Sequence, residues 1–170
     1  EEGLYKNGKR SGKWSGWFLS NKKNFSCVYE EGKRAGNYIE WNSKGKKVKE
    51  IYYSDGKRIK EYLVLKDGSG FMEINKMYGK LDGPWSRWYA DGKKEEEGSY
   101  KKGTKIGIWS RYAMNGVVLE EWNFDNKGRN LYEVTYYDNG TVKEYKDFFS
   151  KTVQEYNSDG SLKGDKIPFN

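Results

Sequence analysis

A glycine returns about every 24 residues through most of this chain, at positions 8, 32, 56, 79, 103 and 128, each time in similar company. Tyr5-Lys6-Asn7-Gly8-Lys9-Arg10-Ser11-Gly12-Lys13-Trp14 is echoed by Tyr29-Glu30-Glu31-Gly32-Lys33-Arg34-Ala35-Gly36-Asn37-Tyr38. Partial copies follow at Tyr53-Ser54-Asp55-Gly56-Lys57-Arg58 and Gly79-Lys80-Leu81-Asp82-Gly83-Pro84-Trp85, then Tyr100-Lys101-Lys102-Gly103-Thr104-Lys105-Ile106-Gly107-Ile108-Trp109. Self-similarity at a fixed period marks a repeat array. A second series, Gly45, Gly68, Gly92, Gly116 and Gly140, falls between the first, with Asn21 standing in for a glycine in the first repeat. A turn therefore arrives about every 12 residues, and the Asn-Gly and Asp-Gly pairs of the second series predict type I′ hairpin turns. Between turns lie short runs rich in Trp, Tyr, Phe, Ile and Val, which suit a pleated surface. No segment carries a helical period with caps.

The fold expected is all-β: an elongated, twisted antiparallel meander of stacked β-hairpins, two strands to each repeat of about 24 residues. It forms one array over residues 1–164, about six repeats, with a shortened terminal hairpin near 141–160 and a tail at 165–170. In the third repeat Lys60 replaces the second glycine, Tyr62 and Leu65 replace tryptophans, and Asp67-Gly68-Ser69-Gly70 follows, which predicts an irregularity or bend. Aromatics three positions apart point to opposite faces of a regular strand. One face should carry Trp14, Tyr38, Tyr62, Trp85 and Trp109, and the other Trp17, Trp41, Leu65, Trp88 and Tyr112.

Only 35% of the 170 residues are hydrophobic and 34% are charged. The 17% aromatic content supplies the missing core, since each ring buries roughly 150–250 Å². No apolar run is long enough to cross a membrane as a helix. The chain opens on Glu1-Glu2 rather than methionine, and we expect a secreted, periplasmic or cell-surface setting over a cytoplasmic one. The single cysteine, Cys27, excludes an internal disulfide and reads as a small half-buried hydrophobe.

There is no histidine, hence no imidazole base and no His-based triad or zinc site. No phosphate-binding glycine loop is present. Carboxylates are plentiful, but Glu50, Glu96-Glu97 and Glu120-Glu121 recur in one strand slot, as a scaffold feature does. We expect no enzyme, no cofactor and no metal.

The pattern Tyr-x-x-Gly-Lys-x-x-Gly-x-Trp, followed about eight residues on by an Asn/Asp-Gly turn, resembles the bacterial variant of the MORN repeat over about residues 3–145. That resemblance implies a sheet of stacked hairpins and a role in protein interaction. Proteins of this kind are often labelled as the antitoxin of a toxin–antitoxin pair.

Two surfaces are candidates for binding. Residues 1–60 carry a net charge of +8, residues 61–120 of +1 and residues 121–170 of −2. Lys9-Arg10, Lys33-Arg34 and Lys57-Arg58 follow successive turn glycines, so they should line a basic edge at intervals of about 9.6 Å. The other candidate is an aromatic face of Trp17, Trp41, Trp88 and Tyr112, the residue types that anchor protein interfaces. The expected role is a non-catalytic scaffold gripping a protein partner. The alternatives are an immunity or antitoxin protein neutralising a toxin, and a surface binder of anionic lipid or glycan; we expect no nucleic acid.

Overall fold

The computed structural model describes residues 1–65 and 69–169. Among these there is no helix, and the strands run in chain order. They are β1 (Glu2–Lys6), β2 (Lys9–Trp17), β3 (Lys23–Glu30), β4 (Lys33–Trp41), β5 (Lys47–Ser54), β6 (Lys57–Val64) and β7 (Gly70–Met77). Then come β8 (Lys80–Tyr89), β9 (Lys94–Lys101), β10 (Thr104–Tyr112), β11 (Val118–Phe124), β12 (Asn130–Tyr136), β13 (Val142–Asp147), β14 (Thr152–Glu155) and β15 (Ile167–Pro168). Their order in the sheet is their order in sequence, an antiparallel meander of consecutive hairpins. The chain divides into two compact units, Glu1–Lys80 and Leu81–Asn170.

The two glycine series make two kinds of turn, and the kinds are the reverse of the expectation. Type I′ geometry, with positive φ at both central residues, occurs in the first series, at Glu31-Gly32 (49° and 85°) and Lys102-Gly103 (52° and 91°) as well as at Asn7-Gly8. Among the described residues of the second series, at Gly45, Gly92, Gly116 and Gly140, only the glycine is left-handed. There Gly92 N–H donates to Tyr89 O at 3.0 Å and Gly116 N–H to Ala113 O at 2.9 Å, and the flanking residues close a three-residue loop. The Asp or Asn before the glycine is chosen for its side chain: Asp91 accepts from the Lys93 N–H and Asn115 from the Val117 N–H, both at 3.0 Å. Asn21 does adopt the left-handed conformation in the glycine's place, at φ 59°. The expected turn at Lys66-Asp67-Gly68 lies outside the described residues.

The second glycine of each tip motif opens a bulge. On β2 the three residues 12–14 lie opposite the single Gly3 of β1, and on β4 residues 36–38 lie opposite Cys27. On β10 residues 107–109 lie opposite Gly98. Each bulge ends in a large ring, Trp14, Tyr38 or Trp109, that meets a small residue on the preceding strand. A Cβ added to Gly3 would stand 2.2 Å from the Trp14 ring, so the indole lies down across the neighbouring backbone. Its Nε1–H donates to Leu4 O at 3.3 Å, as that of Trp109 does to Ser99 O at 3.2 Å.

The third repeat has neither ingredient. Lys60 stands where the bulge needs a left-handed glycine, and Ile51 fills the slot taken elsewhere by Gly3, Cys27 or Gly98. The bulge shrinks to one residue, Ile59, and the strand resumes on the opposite phase. Pairing then runs Tyr38 to Ile51 to Glu61 to Ile74, while Tyr62 pairs with Glu50 and Glu73. Tyr62 therefore leaves the expected Trp14/Tyr38 column for the other face. Glu61 takes its place, 3% exposed.

In the first unit the buried residues share one face: Trp14, Cys27, Tyr29, Ile51, Tyr53, Glu61 and Ile74. In the second unit Trp109, with no exposed surface, centres one face against Trp85 (ring centroids 5.3 Å apart) and Tyr100 (4.9 Å). Val134 and Gln154 are buried on the other face, where Val134 pairs with Tyr145 and that with Gln154. Residues 165–169, read from sequence as a tail, return to the sheet. Ile167 and Pro168 pair with Val153 and Thr152, and Phe169 packs edge-on against Phe148. Pro168 offers no N–H to a further strand, which suits an outer edge.

Half-buried tyrosines make the fold sensitive to alkali. Burial first, and then the Glu40 carboxylate that its hydroxyl donates to at 3.2 Å, push Tyr38 up to about 12 from 10.0. Burial chiefly raises Tyr100, Tyr112, Tyr132, Tyr136 and Tyr145 as well. Each group keeps its proton longer in the folded chain than in the unfolded one, so the stabilisation is whole below pH 10 and is lost as pH rises towards 12. Absorbance at 295 nm should show a delayed tyrosine fraction whose ionisation coincides with loss of the circular-dichroism signal. Full tyrosine ionisation near pH 10 with the sheet intact would contradict this.

Candidate functional site

The basic edge resolves into two rows, because the lysine and arginine of each pair sit on opposite faces of a strand. Lys9, Lys33 and Lys57 point outward at the hairpin tips. Lys33 pairs with Asp55 at 2.6 Å, and the Lys57 ammonium lies 5.5 Å from the centroid of the Tyr78 ring. Gly32 and Gly56 N–H donate to Arg10 O and Arg34 O, each at 3.0 Å, which ties successive tips together.

Arg10, Arg34 and Arg58 turn onto the buried face and interleave with tyrosines. Arg10 Nη1 donates to the Tyr29 hydroxyl at 3.3 Å, and Arg34 Nε donates to the same oxygen at 3.4 Å. Arg34 Nη1 then donates to the Tyr53 hydroxyl at 3.2 Å, and the Tyr53 oxygen also holds the Arg58 guanidinium above its ordinary value. The result is a row Arg10–Tyr29–Arg34–Tyr53–Arg58 crossing β2 to β6. Rings hold the cations in place: Arg10 lies 4.2 Å over Trp14 and Arg34 lies 4.9 Å over Tyr38. Burial opposes the Arg34 charge, but the Tyr29 and Tyr53 oxygens more than offset it and hold the guanidinium above its ordinary value.

Counter-ions stand at the two ends of the row. Arg10 meets Glu1 at 3.2 Å, and Arg58 meets Glu61 at 3.6 Å. Among the described residues no carboxylate lies within ion-pair distance of Arg34. Of the five N–H donors of a guanidinium, Arg34 uses two on the tyrosines, which leaves three. In the second unit the same repeat position is Lys105, whose ammonium sits 3.8 Å over Trp109 and meets Glu96 at 3.4 Å.

The aromatic candidates are differently placed. Trp17 is 37% exposed and Trp41 half-buried, on β2 and β4 of the first unit. Trp88 and Tyr112 are half-buried, on β8 and β10 of the second. The Tyr112 hydroxyl donates to Glu97 at 2.7 Å and its backbone oxygen accepts from the Tyr89 hydroxyl, so Tyr112 is spent on holding the sheet. Where Tyr62 emerges, a shallow concavity of about 330 Å³ is lined by Asn37, Glu50, Tyr52, Lys60, Tyr62 and Glu73. Its acids are paired, Glu50 with Lys47 at 2.6 Å and Glu73 with Lys60 at 2.5 Å. Among the described residues no group of three or more acid, His or Cys side chains could hold a metal ion. Among the described residues no helix is long and apolar enough to cross a membrane.

The unit that repeats is thus a strand, a three-residue loop, a strand and a tight tip. Residues 81–102 match the model of the MORN repeat variant family. The matched MORN-variant stretch takes in β8 from Leu81, the loop at Gly92, and β9 through to the next tip. No curated protein matches the chain. Among solved structures, a crystal structure of a S. aureus TarM mutant in complex with Fondaparinux, alpha-GlcNAc-glycerol and UDP is similar at 15% identity and a TM-score of 0.34, over 71% of this chain. A crystal structure of TarM is similar at 14% identity and a TM-score of 0.33, over 78% of this chain. The chain spans 21% of the length of each of those proteins.

Sequence reasoning set Lys9 to Arg58 along one edge and missed the inward turn of the arginines. A signal was present. Lysine outnumbers arginine 26 to 6, yet arginine fills the same repeat position three times running, at 10, 34 and 58. A planar fork that stacks on rings and bonds two hydroxyls is work lysine cannot do.

Proposed function

We propose that this chain is a non-catalytic repeat scaffold whose first unit grips an acidic protein partner through the Arg10–Tyr29–Arg34–Tyr53–Arg58 row. The observation that carries this reading is Arg34: a guanidinium fixed by two hydroxyls and two rings, with three N–H donors still unclaimed by the fold. A cation held this way loses little freedom on meeting a carboxylate, so more of the interaction appears as affinity. The MORN-variant match supports a scaffold built from repeats. The net charge of +8 over residues 1–60 supports an acidic partner.

The test uses the chain and its Arg10→Gln/Arg34→Gln/Arg58→Gln variant, immobilised side by side, passed over native lysate and washed with rising salt. A protein retained by the parent and released from the variant is the expected result, provided both give the same circular dichroism. Equal retention by the two would sink this use of the row. Binding to anionic vesicles with no protein retained would favour the lipid alternative.

A further inference from the structure

We infer that the row is built for one backbone conformation of its partner: a polyproline II segment carrying a carboxylate at every third residue. This rests on the acidic-partner reading above and adds the shape of the ligand to it. Equivalent positions recur on every second strand, so the backbone positions of Arg10, Arg34 and Arg58 repeat at about 9.6 Å. A polyproline II chain has three residues per turn and a rise of about 3.1 Å, so every third side chain points the same way, about 9.3 Å from the last. A β-strand presents same-side groups at multiples of about 6.7 Å and misses the spacing. An α-helix offers about 10.5 Å at seven-residue steps, so its mismatch accumulates along the row.

The hydroxyls fit the same ligand. Tyr29 accepts from Arg10 and Arg34, and Tyr53 accepts from Arg34, so each aims its own proton away from these guanidinium groups. A polyproline II backbone has no internal hydrogen bonds, and its carbonyls are free to accept those protons. Aromatic-lined surfaces are the usual docking sites for this conformation, and here the row is flanked by Trp14 and Tyr38. The central carboxylate would take the unclaimed N–H donors of Arg34. The Arg10–Glu1 pair is well exposed on both sides, at 37% and 50%, so an incoming acid displaces Glu1 at little cost. Of the acids around the middle tip, Asp55 is held by Lys33, and Glu30 and Glu31 stand exposed in the tip itself.

The experiment measures binding of the whole chain to synthetic peptides of equal length and glutamate content by calorimetry. One is (Glu-Pro-Pro)n; in a second the glutamates alternate with proline at one end, and in a third they are contiguous. The regular peptide should bind about tenfold more tightly than either isomer. Arg34→Gln should remove about tenfold of that affinity, and Tyr53→Phe, which keeps the ring and the fold, should remove part of it. Equal affinity for all three peptides, still reduced by Arg34→Gln, would overturn the spacing inference and leave the acidic-partner reading standing. If none of the peptides binds while a lysate protein is still released by the triple arginine substitution, the inference fails alone. If that release is absent too, both readings fall.

Discussion

Gly98→Ala should destabilise the second unit by about 2–3 kcal/mol, although it adds one methyl group. The new Cβ would stand 2.1 Å from Cδ2 and 2.2 Å from Cε2 of Trp109. Nothing lets that ring retreat: it has no exposed surface, Trp85 and Tyr100 pack against it, Lys105 lies over it, and its Nε1–H is bonded to Ser99 O. Trp109→Ala alone should cost about 3–5 kcal/mol, through lost burial and the cavity left behind. The two losses should not add. Once the indole is gone, an alanine at 98 meets open space and regains the small backbone advantage over glycine, so the double variant should be no less stable than Trp109→Ala. Urea denaturation followed by circular dichroism gives all four corners of the cycle, with an expected coupling of about 2–3 kcal/mol. Simple additivity would show that the glycine is not there for the ring. Gly3→Ala, opposite Trp14, should cost less, because β1 is exposed along its whole length and can shift.

That ring-on-glycine contact shows what the sequence could and could not convey. The 24-residue beat measured the hairpins well, since each turn needs a left-handed residue and glycine or asparagine supplies it. Strand order followed from turn spacing alone, whereas β15 lies in residues read as a tail. Which face a ring occupies depended on bulge size, and bulge size depends on two residues far apart in sequence: a glycine on one strand and a small residue on the strand before. Counting three positions from one aromatic to the next placed Trp14, Tyr38 and Trp109 on one face, yet put Tyr62 there too. Lys60 was noticed as an irregularity, but its consequence needed Ile51 across the ladder. The candidate site was legible by composition and hidden by geometry in the same way. Lys9-Arg10 reads as one basic patch in sequence, whereas strand alternation sends one cation to solvent and the other among tyrosines. The turn at residues 66–68, where a bend was expected, lies outside the described residues.

Lys76→Met should cost about 3 kcal/mol, far more than loss of an exposed ion pair. The phase change in the third repeat leaves Glu61 3% exposed, between Ile51 and Ile74 on the aromatic face of the first unit. Its Oε1 accepts from Lys76 Nζ at 2.8 Å and stands 3.6 Å from the Arg58 guanidinium. Lys76 is itself only 23% exposed, so little water is at hand to take over when the ammonium is removed. Arg58, at 49%, is the weaker partner by distance and by exposure. The carboxylate would then be a buried charge with one distant counter-ion. Replacing both partners should restore what replacing one destroys: Glu61→Leu/Lys76→Met should match the parent within about 1 kcal/mol or exceed it, since apolar groups of similar volume suit a face already lined by Ile51, Tyr53 and Ile74. Chemical denaturation of the two single variants and the double variant decides the matter. A Lys76→Met loss below about 1 kcal/mol would mean that Glu61 does not depend on its lysine. A double variant as unstable as the single one would mean that the pair fixes the strand phase. The charge would then be part of the architecture, holding Tyr62 on the outer face where glycine-led bulges hold the rings of the other repeats within.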